Sequence, residues 1–137
     1  MWRAQPVVAG ALAGIAGGVV FGALMAAMMP PVLGMIGSLL GVPSLGWGVH
    51  LLFSAIIGAV FGALIGDRAA SWAPAIALGA AYGVVWWIAG PLLIMPIWLG
   101  MGPMVGHAFD ASNMLSLMGH VVFGVVTGAA YRWLRFS

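Results

Sequence analysis

Residues 47–66 read Trp-Gly-Val-His-Leu-Leu-Phe-Ser-Ala-Ile-Ile-Gly-Ala-Val-Phe-Gly-Ala-Leu-Ile-Gly. The stretch carries no charge, and as a helix rising ~1.5 Å per residue it reaches ~30 Å, the depth of a bilayer's hydrocarbon core. One imidazole, His50, sits about a turn in from its start. Seventy residues later the pattern returns: His120, Phe123, Gly128 and Ala129 repeat His50, Phe53, Gly58 and Ala59. A second match precedes each copy. Met29-Pro30-Pro31-Val32-Leu33-Gly34-Met35 returns sixty-six residues on as Met95-Pro96-Ile97-Trp98-Leu99-Gly100-Met101. The chain therefore reads as two tandem halves, about 7–68 and 75–135, in one transmembrane domain of 137 residues.

Composition fixes the solvent. The chain is 64% hydrophobic and 4% charged, against roughly 25% charged in a water-soluble domain. Residues 4–66 and 69–109 contain no Asp, Glu, Lys or Arg. A fold of this size cannot hide so much apolar surface from water, so the expected surroundings are lipid. Four arginines give the net charge of +2. They form no basic face for nucleic acid, which is excluded as a partner. The lack of cysteine removes disulfides, thiolate metal sites and thiol nucleophiles. The lack of lysine removes a phosphate-binding loop of the usual kind. The first apolar run, 7–29, is longer than the hydrophobic part of a signal peptide and reads as a span.

Four spans are expected, at about 7–29, 47–66, 75–95 and 115–134. Gly10, Gly14, Gly18 and Gly22 recur every four residues on one face of the first. Gly58, Gly62 and Gly66 do the same on the second, and Gly119, Gly124 and Gly128 punctuate the fourth. Such faces let helix backbones approach closely. Between spans one and two, 32–40 is apolar but too short to cross, and reads as a re-entrant or surface-lying half-helix. Residues 96–114 form a second broken segment, and Gly90-Pro91 predicts a kink in span three. Trp47 and the terminal Tyr131-Arg132-Trp133 stretch are placed to anchor at the interface. Arg3, Arg68, Arg132 and Arg135 all fall on one side of four spans. The bias of basic residues toward the cytoplasm puts both termini inside a multi-pass protein of the cell membrane. Each half then holds two spans, which predicts an all-α four-helix bundle of two parallel repeats. A pseudo-two-fold axis along the membrane normal would relate them.

His50 and His120 are the most informative residues. They stand at equivalent places near the outer ends of their helices, where an axis of this kind turns equivalent side chains toward each other. Two facing imidazoles suit a metal ion of the copper kind, or a haem iron. Methionine thioethers crowd the same level, Met29 and Met95 among them, and are soft ligands for such an ion. His107, with Asp110, adds a further group. The tight glycine faces, Gly14, Gly18, Gly22, Gly58, Gly62 and Gly128, favour an ion or small solute over a porphyrin. The plain structural reading stands beside this one: an imidazole near the surface hydrogen-bonds a carbonyl or water, and methionine packs irregular gaps. Paired carboxylates cannot form, because Asp67 and Asp110 fall on opposite sides, and no nucleophile elbow is present. The expected function is non-enzymatic: binding or transport of a metal ion or other small solute at an outward-facing His/Met layer between the repeats. The alternative is a structural or haem-carrying redox subunit of a larger membrane complex. Homo-oligomers are compatible with either.

Gly46-Trp47-x-x-His50, Tyr82-Gly83-Val84-Val85-Trp86-Trp87, Met95-Pro96 and Leu117-Met118-Gly119-His120 resemble a group of small four-span membrane proteins of archaea and bacteria. The resemblance covers nearly the whole chain and implies a fold and a membrane location; it transfers no activity. Some members of that group carry the name histidine kinase, which does not suit a chain lacking a soluble nucleotide-binding domain.

Overall fold

A computed structural model describes residues 4–137. It is helical throughout, with no strand among the described residues. The elements are α1 (Pro6–Met28), α2 (Pro30–Ser38), α3 (Gly46–Leu64), α4 (Trp72–Ala89), α5 (Met95–Trp98) and α6 (Ala111–Phe136). Four helical stretches, Pro6–Met28, Pro43–Leu64, Trp72–Trp98 and Ala111–Phe136, are long and apolar enough to cross a membrane. This is the architecture of a multi-pass membrane protein. Arg3, the first of the four arginines used for orientation, lies outside the described residues.

Proline chemistry explains the breaks. α1 stops at Met29 because Pro30 disfavours helical backbone in the residue before it. Pro30 and Pro31 then open α2, where a missing N–H costs nothing. α2 is the expected half-helix. It ends at Ser38, and in the turn that follows Gly41, with φ +73°, lets Val42 donate back to the Gly37 carbonyl at 2.9 Å. Met95-Pro96 behaves differently from its sequence match Met29-Pro30. The third span runs on past it to Trp98. The expected kink at Gly90-Pro91 is a π-helical turn, Gly90–Ile94, and the helix resumes as α5. Pro96 cannot donate to the Leu92 carbonyl. Met104 takes its place, its N–H donating to that oxygen at 2.7 Å, so the following loop folds back over the helix. The broken segment is consequently shorter than 96–114, and the last helix starts at Ala111, four residues before the expected 115. Gly100, the sequence match of helical Gly34, ends α5 with φ +78°.

The glycine faces are helix seams. α1 runs antiparallel against α3 and against α6, and α4 antiparallel against α6. A side chain at Gly10 or Gly14 would strike the backbone of α3 at Gly58, and one at Gly62 the carbonyl of Pro6. Gly79 meets the backbone of Gly124 and Gly128, and Gly83 that of His120. Gly18 and Gly22 lie on the same face as Gly14 but make room for side chains: Ser54 rests on Gly18 and the Trp47 indole on Gly22. Trp47 is thus a packing residue as well as a surface one. Gly17, off that face, receives Thr127 and Phe123 of α6. α3 and α4 are the exception, touching only at isolated points. One is the Tyr82 hydroxyl, which donates to the Ile57 carbonyl at 2.6 Å. At that level Phe61 lies edge-on to Tyr82 and Tyr131, with ring centroids 5.2 Å and 5.6 Å apart. Small residues (Ala9, Ala13, Ala69, Ala75) close the core around these rings, filling the half of the bundle that ends in Arg68, Arg132 and Arg135.

Candidate functional site

The opposite half is not filled. A cavity of about 570 Å³ lies there among all six helices. α1 contributes Phe21, Met25 and Met29; α3 contributes His50, Phe53 and Ser54; α6 contributes Asn113, Ser116, His120 and Phe123. Trp86, the π turn and α5 form another wall, and α2 with the Leu99–Met104 loop covers the outer side.

His50 lies one turn into α3 and His120 about two and a half turns into α6, because α6 begins earlier than expected. They nevertheless stand at one level. The Phe21 ring is edge-on to both, its centroid 5.6 Å from His50 and 4.7 Å from His120. Their bonds differ. His50 Nε2 donates across the α1–α3 seam to the Gly18 carbonyl at 2.8 Å. His120 Nδ1 donates along its own helix to the Ser116 carbonyl at 2.8 Å. On the α4 side the backbone of His120 abuts Gly83. A carbonyl only accepts, so each of these ring nitrogens carries a proton, and in the neutral ring the second nitrogen is an acceptor. The other nitrogens, His50 Nδ1 and His120 Nε2, keep free lone pairs and have no partner among the described residues. A backbone carbonyl behind an imidazole is also the usual support of a ligating histidine.

Met29 and Met95 line the same cavity, with Met25, Met35, Met101 and Met104. Met28 and Met118 point outward, and Met114 packs near Trp87 and Leu92. His107 is not part of the cavity wall. It is exposed in the outer loop, its Nδ1 3.2 Å from the Asp110 carboxylate. No group of three His, Cys, Asp or Glu side chains converges among the described residues, so a metal here would draw on imidazole and thioether together. The sequence reading missed Phe21, Met25, Trp86, Ser116 and Asn113. Asn113 fastens the site's edge: its side chain donates to the His107 carbonyl and its own carbonyl accepts from Trp87 Nε1, both at 2.8 Å. The mid-span pair Trp86-Trp87 was the signal available, since tryptophan inside a span needs a partner for its N–H.

At cavity level Phe53 of α3 and Trp98 of α5 face each other across the gap between α3 and the third span, ring centroids 6.4 Å apart. Compared with family models, curated proteins and solved structures, the chain matches none of them.

Proposed function

We propose that this is a non-enzymatic protein of the cell membrane, termini cytoplasmic, that binds a small solute in the cavity between its two halves. One observation carries the reading: a half-open apolar chamber is lined by two imidazoles, each with one ring nitrogen not committed to a hydrogen bond. Chambers of roughly 300–1,000 Å³, apolar but for a few placed polar groups, are the usual form of small-molecule sites. A soft metal ion is the second reading, favoured by the thioethers of Met29 and Met95 on the same wall. Haem ranks below both, because Phe21 packs against each of the two rings that would have to grip its iron.

Two parallel repeats would account for the matching helix pairs within each half, α1 with α3 and α4 with α6, but not for the α1–α6 seam, whose counterpart α3–α4 is open. Gly14 and Gly79 sit sixty-five residues apart and meet partners, Ser54/Gly58 and Gly124/Gly128, that are seventy apart. Gly18 and Gly83 share the sixty-five-residue offset, while Met29 and Met95 are sixty-six apart. The π turn between Gly83 and Met95 accommodates the extra residue.

The test is what the protein carries when purified in nanodiscs. Mass spectrometry of the organic extract, with elemental analysis, should find a bound small molecule or metal whose occupancy falls with His50→Ala and with His120→Ala. An extract indistinguishable from that of empty nanodiscs and of the double variant, together with no uptake on titration, would remove the proposal.

A further inference from the structure

We infer that the occupant is a neutral, membrane-dissolved molecule with an apolar body and a hydroxyl donor, and that it enters sideways from the lipid between α3 and α4. This rests on the cavity being a binding site. The donor requirement comes from the tautomers. In the neutral rings both N–H groups are spent on backbone carbonyls, so the second nitrogens accept. Neutrality comes from the wall. No Asp or Glu lines the cavity, and an ion stripped of water among apolar side chains without a counter-charge is strongly disfavoured.

The route comes from the seams. α1–α3, α1–α6 and α4–α6 are closed by helices packed against one another, two of these seams by glycine backbones in contact. On the outer side the covering loop is tied to the helix end through Met104 and Leu92. The α3–α4 seam alone is loosely held at cavity level. A tilted pair of aromatic rings, Phe53 and Trp98, bridges it there, and Trp98 is 53% exposed. The rings are apolar and can swing aside at little cost in contact area. Trp98 belongs to α5, directly after the π turn, where the regular helical bonds that resist bending are already interrupted.

Farnesol and its methyl ether, which differ in the hydroxyl proton, are the probes, with the whole chain in nanodiscs. Farnesol should bind saturably. The ether should bind at least about tenfold more weakly, the ~1.4 kcal/mol of one hydrogen bond. That comparison uses the unaltered protein and needs no variant to fold. Because the chain has no cysteine, Phe53→Cys with Trp98→Cys can be bridged by a short bifunctional thiol reagent. Bridging should slow farnesol exchange with the bilayer at least about tenfold, and the Phe53→Ala, Trp98→Ala pair should speed it. Equal affinity for alcohol and ether overturns the donor assignment. Exchange unaffected by bridging and by the alanines overturns the lateral route. Saturable copper uptake without alcohol binding overturns this inference and leaves the proposed function standing. No saturable binding of either kind overturns both.

Discussion

Replacing Gly58 by alanine isolates the energy of the glycine-packed α1–α3 seam. A methyl carbon there would lie 2.6 Å from Gly14 Cα and 2.8 Å from its nitrogen, where ordinary contact begins at 3.4 Å. Both obstacles are backbone, so no side chain can swing away. α1 and α3 must part by roughly 1 Å, and a gap of that size forfeits about a quarter to a half of each dispersion contact along the seam. The expected cost is about 1–3 kcal/mol, that of overpacking a tight core. Alanine also gains about 1 kcal/mol over glycine from helix propensity, which hides part of the penalty. Gly48 supplies the correction. It lies in the same helix, and a Cβ on it would meet nothing within 4 Å. The propensity gain cancels in the difference, so Gly58→Ala should be less stable than Gly48→Ala by the clash alone. Reversible unfolding in mixed micelles, followed by tryptophan fluorescence, measures that difference. Equal stabilities, or Gly58→Ala the more stable, would show that the α1–α3 seam is not packed as described.

Trp87→Phe removes the indole's hydrogen bond to the Asn113 backbone carbonyl and should cost about 0.6–1.7 kcal/mol, the range for hydrogen bonds between membrane helices; an unchanged melting curve would count against that bond. Single cysteines at Ser38 and Ser112 should react with an impermeant reagent from outside the cell, and those at Ser71 and Ser137 should not. Labelling of Ser38 and Ser71 from the same side would contradict four spans. Deleting Leu93 should convert the π turn to α-helix and leave Met95 and Pro96 facing as before. Deleting Val84, within regular α4, rotates everything beyond it by about 100° and should abolish assembly; equal tolerance of the two deletions, read by size-exclusion profile, would refute the single-residue account of the turn.

The spans were legible because their signal is composition, and composition alone decides between water and lipid. The glycine seams were legible at Gly10, Gly14, Gly58 and Gly62, where four-residue spacing matches one helical face. Gly22 shows where spacing runs out. It lies on that face yet serves the Trp47 indole, and only the partner helix's register tells the two roles apart. The histidine level was visible from the repeat, but Phe21, which packs on both rings, has no counterpart histidine-like signal. Local chemistry misled at Met95-Pro96. The same dipeptide that ends α1 is carried through the third span, because the amide of Met104, in the loop beyond Pro96, replaces the missing donor. His107 drew notice for its chemistry, while its position depended on a loop whose path sequence does not encode.

The aromatic knot around Phe61 makes the bundle an electrical insulator. Phe61 and Tyr131 are wholly buried, and they stand between the cavity and the arginine-bearing end. A potential of 100 mV drives a unit charge with only ~2.3 kcal/mol. Stripping an unpaired ion to pass such a layer costs tens of kcal/mol by the same continuum physics that keeps charges out of hydrocarbon. A solute bound as proposed would therefore come and go on one side while the voltage across the membrane stays untouched. A cell can hold many copies of the protein without short-circuiting its own energy supply.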